Sequence, residues 1–123
     1  TKETKGPSKI FRLGVEEIRK NSSRKTFEYW GKFDVSGSIN SPDALITSAA
    51  LSKDGKTLLL LTYHNMLELQ VDLSKGLEIS KVQTIKLHNL IQQESVTFLP
   101  NESGFLYGTE ATTGSAKIWR VDR

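Results

Sequence analysis

Four polar side chains in the second half of the chain are candidates for a ligand-binding site. Two of them, Glu94 and Glu110, carry carboxylate oxygens, which are the ligands that hard cations such as calcium prefer. The other two, Tyr63 and His64, could hydrogen-bond a polar ligand. Calcium takes roughly six or more oxygen ligands, however, and this stretch supplies few. A second interpretation therefore makes Glu94 a hydrogen-bond acceptor that holds the start of a strand, and makes the other three turn residues.

The chain contains no catalytic motif of the kind that local sequence reveals. His64 and His88 do not have the HExxH spacing of a zinc site. A GxSxG elbow, a P-loop and a dinucleotide fingerprint are all missing, so nucleophilic hydrolysis, phosphoryl transfer and hydride transfer lack a local signature. The absence of cysteine excludes disulfides and thiolate metal sites. The sequence therefore assigns no catalytic residue, metal ligand or cofactor, and it leaves open whether the protein is an enzyme.

The overall composition is that of an ordinary globular chain of 123 residues, enough for one domain or part of one. The formal charge is +3, but the densest basic stretch, RKNSSRK at 19–25, lacks aromatic residues on which bases could stack, so no nucleic-acid partner is predicted. No apolar run reaches the roughly 20 residues needed to cross a bilayer. The opening TKETKGPSK, without methionine or signal sequence, predicts the interior of a longer protein or a processed start.

Short runs of distinct periodicity predict a series of strands. In TLLLLTY (57–63) four consecutive leucines indicate a strand that is covered on both faces. In MLELQVDL (66–73) apolar and polar residues alternate, which predicts a half-exposed strand. Asp54-Gly55 marks a tight turn before these runs, and VQTIKLH (82–88) supplies a further strand. The strands are short and closely spaced, so we expect antiparallel pairing between neighbours.

The strand pattern repeats along the chain. FLPNESGFLYGTE places Phe98 where Leu51 stood and Thr109 where Thr62 stood, 47 positions earlier. Four short strands within about 43 residues match the size of one blade of a β-propeller, which is roughly 40–50 residues. We therefore predict an all-β fold of antiparallel four-stranded blades, with about two and a half blades present. The predicted units are a partial blade at 9–35, a complete blade at 46–88, and a last blade at 94–122 that lacks its outer strand.

Aromatic residues near the two ends of the chain are predicted to pack in the core. KIFRL closely resembles KIWRV, so Trp119 is matched with Phe11 and with Leu69. FEYWGKFDV is predicted to be an outer strand with alternate apolar residues on one face: Phe27, Tyr29, Phe33 and Val35. GVEEIRKN could form a helix, but two apolar residues hardly define a helical stripe, so a loop or irregular turn is favoured. HNLIQQ (88–93) is predicted to be a helical turn that links two blades.

The order of these motifs resembles the final blades of bacterial β-propellers of the SdiA-regulated and esterase-like phytase kind. The resemblance rests on ITSAALSKDGKTLLLLTY...LELQVD followed by QESVTFLPNESGFLYGTE...KIWRVD, and it covers roughly residues 46–122. The paired TY and TE endings fall in the order typical of that family. Departures include Lys53 in place of the usual proline and Ser95 in place of the usual alanine. A resemblance of this kind implies a fold more strongly than an activity, because function depends on a site.

A propeller would bring the four candidate ligand-binding residues to one place. The first strand of each blade lines a central channel, so Glu94 at the start of an inner strand would face its mouth. Tyr63, His64 and Glu110 would lie at the ends of second strands. We expect a non-catalytic scaffold or ligand-binding module. The alternative is a phytase-like or phosphodiester hydrolase, whose cation site, with calcium as the possible ion, is completed by blades absent from this chain.

Location and partners follow from the resemblance and from the incomplete set of blades. The resemblance implies an exported bacterial protein in the periplasm or outside the cell. Two and a half blades would expose strand edges and blade flanks, which invite pairing with another chain. The expected partners are therefore the remaining blades of a larger chain, or further copies of this one.

Overall fold

Strands make up most of the computed structural model, which describes residues 7–20, 24–35, 45–74, 76–88, 92–110 and 114–123. The described residues form nine strands and one short helix, in antiparallel sheets, so the all-β prediction is confirmed. The elements are β1 (Ser8–Arg12), α1 (Val15–Arg19), β2 (Glu28–Phe33), β3 (Ile46–Leu51), β4 (Thr57–Thr62), β5 (Asn65–Asp72), β6 (Glu78–Lys86), β7 (Gln93–Phe98), β8 (Gly104–Thr109) and β9 (Ile118–Asp122).

The strands form three sheets in chain order, which we call the first, middle and third sheets. The first sheet pairs β1 with β2, the middle sheet has the order β3-β4-β5-β6, and the third has the order β7-β8-β9. Every pairing joins strands that are consecutive in the sequence and antiparallel. The part of the chain that the structure describes does not close into a ring or barrel.

Strand β4 of the middle sheet is buried on both faces, as the leucine run predicts. Leu60 belongs to a core that the middle sheet shares with Phe33 and Val35 of the first-sheet segment. Leu59 and Leu61 point the other way, into a second core with residues of the third sheet. All three leucines are at most 2% exposed. The three sheets are therefore stacked face to face in the order of the sequence, with the middle sheet between the others.

Polar contacts at several positions along the strands connect the sheets to each other. The amide of Leu77 donates to the carbonyl of Trp30 at 3.1 Å, which joins the middle sheet to the first. Arg123 after β9 pairs with Glu68 on β5, which joins the third sheet to the middle one. Beyond the ends of β3 and β7, the side chain of Lys53 donates to the carbonyl of Pro100 at 2.9 Å. The stack is thus held by hydrogen bonds as well as by apolar packing.

A bulge in the first sheet overturns the prediction that one face of β2 carries four aromatic and aliphatic residues. Ile10 pairs with Gly31 but Phe11 pairs with Tyr29, so Trp30 is an extra residue that reverses the alternation. Phe33 is buried toward the middle sheet, whereas Tyr29 lies on the opposite face and is 54% exposed. Val35 is buried, as predicted, and Phe27 is exposed.

The segment predicted as a loop after β1 is a short helix instead. Its two apolar residues, Val15 and Ile18, are both exposed, so no apolar stripe holds it. The helix is instead stabilised locally, because Glu16 pairs with Arg19 one turn later and Glu17 pairs with Lys20. In the described part of the chain no helix is long and apolar enough to span a membrane. The predicted helical turn at 88–93 falls partly on residues 89–91, which lie outside the described ones.

The outer strand of the middle sheet begins at Glu78 rather than near Val82. A bulge at Ser80 explains the extra length, since Gln70 pairs with Lys81 and Val71 pairs with Ile79. The hydroxyl of Ser80 donates to the carbonyl of Gln70 at 3.3 Å, which stabilises the irregular step. Pairing therefore continues to the end of β5.

Candidate functional site

The middle and third sheets share an edge at which all four candidate residues lie. β3 and β7 lie side by side, since the amide of Val96 donates to the hydroxyl of Ser48. The turns that follow both strands also touch, through Lys53 and Glu102. The starts of β3 and β7 and the ends of β4 and β8 therefore lie at the same end of the two sheets. We call this end of the sheets, where strands begin and finish, the candidate edge.

Tyr63 and His64 form the tight turn between β4 and β5 at the candidate edge. Thr62, which is fully buried, holds this turn through its hydroxyl, which accepts from the Asn65 amide at 3.0 Å and donates to the Asn65 carbonyl at 3.1 Å. The backbone of His64 accepts from the Leu87 amide at 3.4 Å. Both turn residues are half-buried, so their backbone is well placed while part of each side chain reaches solvent.

Glu94 is the second residue of β7 rather than its first, and it occupies a bulge. Gln93 pairs with Thr109 and Ser95 with Gly108, so Glu94 is the extra residue between these two strand pairs. Thr47 occupies the same bulge at the start of β3, between Ile46 and Ser48. A bulge re-aims its extra side chain, which is why such positions recur beside binding sites. The half-buried Glu94 is thus held in place by the backbone.

Glu110 lies just beyond β8, and its side chain is exposed. Its amide donates to the carbonyl of Gln92 at 2.9 Å, which joins the end of β8 to the residue before β7. Gln92 has a positive φ of 53°, so the chain turns sharply into β7 at this point. Glu110 and Glu94 are therefore on neighbouring strand ends of the same sheet, while Tyr63 and His64 belong to the adjacent sheet.

The candidate edge does not assemble a metal site from the described residues. Among them, no three side chains of His, Asp or Glu lie close enough together to hold an ion. Calcium requires several oxygen ligands converging on one point. The geometry fits a polar surface on which two carboxylates, a phenol and an imidazole are spread along one edge. Such a surface can hydrogen-bond a polar ligand.

Below the candidate edge lies a buried polar cluster that the sequence patterns did not predict. It contains Gln93, Tyr107 and Trp119, which all approach His88. The Gln93 side-chain amide donates to the His88 carbonyl at 3.2 Å, and the Trp119 ring lies 5.1 Å from the His88 ring, centroid to centroid. Gln93 and Tyr107 are at most 1% exposed. One polar atom of each cluster residue has no hydrogen-bond partner among the described residues: Gln93 Oε1, Tyr107 Oη and Trp119 Nε1.

Burial raises the pKa of Tyr107, and the nearby backbone amide of His88 offsets this rise only in part. The sequence did contain a signal for this cluster. The repeat places Gln93 where Ile46 stood and Tyr107 where Leu60 stood, so polar residues replace apolar ones at two buried positions.

A recess of about 420 Å³ at the opposite edge has a structural explanation. It is lined by residues of the β3–β4 turn and the end of β5, including Asp54 and Asp72. Asp54 accepts from the Ser52 hydroxyl at 2.7 Å, which is the main reason why its pKa is lowered. Asp72 accepts from the Ser74 amide at 2.9 Å, and this bond likewise lowers its pKa. Both carboxylates therefore stabilise local turns, which accounts for their positions at this edge.

Comparison with known proteins adds no further assignment: no family model, curated protein or solved structure matches this chain. Its function must therefore be inferred from the arrangement of its own residues.

Proposed function

We propose that the chain is a segment of a β-propeller that acts as a non-catalytic scaffold or ligand-binding module. The observation that carries this proposal is the middle sheet, which is packed on both faces by its neighbours in the sequence. A propeller blade is packed in this way by the blades before and after it. A two-layer sandwich, by contrast, leaves the outer face of each sheet in solvent.

The inner strands support a radial arrangement of the sheets. β7 approaches both β3 and β4 closely along the backbone, so the middle and third sheets meet at their first strands, as successive propeller blades do around the central channel. Hydrogen bonding follows the same trend, because the Ser48–Val96 bond joins the two innermost strands. The first and middle sheets also touch through Trp30 on β2 and Leu77 before β6, so the spread of the outer strands is a prediction.

The strand pairing of the third sheet repeats that of the middle sheet residue by residue. Ile46 pairs with Thr62 and Leu51 with Leu58; 47 positions later, Gln93 pairs with Thr109 and Phe98 with Phe105. Both sheets have their bulge after the first pair. A repeat that keeps its register, its bulge and its packing direction is expected of consecutive units in a repeat fold.

The ligand-binding part of the proposal is assigned to the candidate edge. In a propeller this edge of each blade faces an opening of the central channel, where Glu94 would meet residues from other blades. The phytase-like alternative requires carboxylates and basic residues that converge around cations. The described residues contain no such group, so no observation favours hydrolysis here. The assignment to the periplasm or cell exterior is supported by the sequence resemblance alone.

Distances between spin labels test the radial arrangement. One pair of labels is placed on the inner strands, at Ala49→Cys and Ser95→Cys, and a second pair on the outer strands, at Val82→Cys and Arg120→Cys. In both pairs the labelled residue of the middle sheet points away from the third sheet, and that of the third sheet points away from the middle one. All four side chains are exposed, so the labels should not disturb the core. If the sheets radiate from an axis, the outer pair is clearly farther apart than the inner pair. Equal distances would indicate sheets stacked in parallel and would exclude a propeller.

A further inference from the structure

The three sheets pack in one consistent direction. We call the face of a sheet that is turned toward the next sheet in the sequence its forward face, and the opposite one its rear face. The forward face of the middle sheet carries Leu59, Leu61 and Met66, which pack on the third sheet. Its rear face carries Leu69 and Val71, which pack on the first sheet. The same kind of contact, forward face against rear face, is therefore made twice within one chain.

The rear face of the first sheet has the character of a packed face but is exposed. Phe11 and Tyr29 are paired across the strands on this face, with their rings 5.7 Å apart and edge to face. The corresponding cross-strand pair in the middle sheet, directly after its bulge, is Val71 and Ile79. Val71 is 6% exposed and Ile79 is partly buried, whereas Phe11 is 44% and Tyr29 is 54% exposed. The first sheet thus presents two aromatic rings where the middle sheet has core residues.

The forward face of the third sheet is the matching exposed surface. Leu106 and Gly108 occupy the positions of Leu59 and Leu61, and pair in the same register with the inner strand. Ile118, which lies opposite Gly108 on β9, is 76% exposed. A recess of about 190 Å³ lies over this face, with Ser95, Leu106, Gly108 and Ile118 in its lining. The forward face is therefore buried on the middle sheet, whereas on the third sheet the equivalent face is exposed and is not close-packed.

We propose that these two faces bind each other between copies of this chain, so that the first sheet of one copy packs on the third sheet of the next. The contact would repeat the forward-to-rear packing that the chain already makes twice. It places the Phe11–Tyr29 pair against the surface around Leu106 and Ile118. Such a contact is heterologous: it buries a different surface on each partner and leads to a closed ring or to a growing chain.

Apolar area is the driving force for this association. Two aromatic rings on one side and aliphatic side chains around a recess on the other leave water on binding, and aromatic residues are the usual anchors of such interfaces. The inference goes beyond the proposed function, since forward-to-rear packing between copies does not require that the sheets radiate from an axis.

Directed cross-linking tests the proposal, and the chain suits it because it has no cysteine of its own. Two variants are prepared, Lys32→Cys and Arg120→Cys, and only one of them carries an affinity tag. Lys32 lies on the rear face of the first sheet near the Phe11–Tyr29 pair and is exposed, so its replacement keeps both aromatic rings. Arg120 lies opposite Leu106 on the forward face and is exposed. When the two variants are mixed and treated with a short bismaleimide, we expect cross-links that join one variant to the other. A third variant, Val82→Cys on the exposed outer strand, is the control and should give no cross-link with Lys32→Cys.

Sedimentation supplies a second measurement, which needs no cross-linking reagent. The wild-type chain should associate with increasing concentration, and Tyr29→Ser and Ile118→Ser should each weaken association by about tenfold, the effect of losing an interface anchor. Val82→Ser should leave association unchanged, and circular dichroism verifies that each variant is folded. Cross-links mainly between identical variants, or a wild-type chain that stays monomeric at high concentration, would overturn the proposal. Neither result would change the spin-label distances that test the radial arrangement.

Discussion

The hydroxyl of Ser48 on β3 accepts a hydrogen bond of 3.3 Å from the amide of Val96 on β7. This bond connects the first strands of two successive sheets, the middle and the third. The amide of Val96 lies on the edge of the third sheet, where it would otherwise lack a partner in the sheet ladder. The Ser48 side chain thus supplies an acceptor for a backbone amide of an edge strand. The same bond fixes how β3 is aligned with β7 along their length.

Removal of this hydroxyl should lower stability. We expect Ser48→Ala to reduce the free energy of unfolding by about 0.5–1.5 kcal/mol, because the Val96 amide loses its acceptor. The matched control is Ser95→Ala, since Ser95 is the counterpart of Ser48 in the repeat and is exposed. The control should change stability by less than about 0.5 kcal/mol. Urea unfolding of both variants provides the comparison, and equal losses would mean that the inter-sheet bond contributes nothing.

The central leucine run should not tolerate a charge. Leu60 is 2% exposed and packs toward the first sheet, so Leu60→Asp would bury a carboxylate without a partner. The expected loss is about 3–5 kcal/mol, enough to unfold a marginally stable chain. Leu51→Asp is the control, because Leu51 is 47% exposed, and it should remain folded. Thermal unfolding followed by circular dichroism distinguishes the two variants; a folded Leu60→Asp protein would show that this face is not buried.

A methyl group at Gly104 should disturb the third sheet. A Cβ atom at this position would overlap with the carbonyl oxygen of Val121 on the neighbouring strand. We expect Gly104→Ala to destabilise the protein by about 1–3 kcal/mol, as overpacking does. A methyl group at Gly14 would have no atom within 4 Å, so Gly14→Ala should cost less than about 1 kcal/mol. Denaturant midpoints measure both changes, and a Gly104→Ala protein as stable as wild type would contradict the close strand contact.

Stability should fall at alkaline pH because of Tyr107. Burial raises the pKa of this phenol above its value of about 10 in the unfolded chain. The resulting stabilisation is present below pH of about 10 and is lost as the pH rises through the higher folded-state pKa. Urea unfolding measured from about pH 8 to about pH 11.5 should show this loss. The stability of Tyr107→Phe should be less sensitive to pH than that of wild type; identical pH profiles for the two proteins would refute the assignment.

The strands could be predicted from the sequence because their signals are local. Four consecutive leucines indicated burial on both faces, and the structure places Leu59 and Leu60 in two different cores. The repeat between the middle and third sheets was also visible, since Thr62 and Thr109 end equivalent strands. Alternation and spacing depend only on the neighbouring residues of the chain, so they can be read before any tertiary contact is known.

Cross-strand register could not be predicted in the same way. The sequence match made Trp119 the equivalent of Leu69. In the structure Trp119 pairs with Tyr107, and Leu67 pairs with Leu60, which is the equivalent of Tyr107. Trp119 is therefore the equivalent of Leu67. The connection between β8 and β9 is longer than the tight turn between β4 and β5, which shifts the third strand by two residues. A shift of two keeps the same face, so Trp119 packs against the core as predicted, but at a different level. Phe11 likewise corresponds to Val71 rather than to Leu69.

The sequence by itself determined the strand content, the repeat and the residue types available at the candidate edge. The tertiary structure alone decided which of those residues meet. It spread Glu94 and Glu110 along an edge, and it gathered Gln93 and Tyr107 around His88. It also exposed Tyr29, because a single bulge reversed the face on which that ring lies. Bulges and the stacking of sheets depend on contacts between residues far apart in the chain, and no local pattern encodes those contacts.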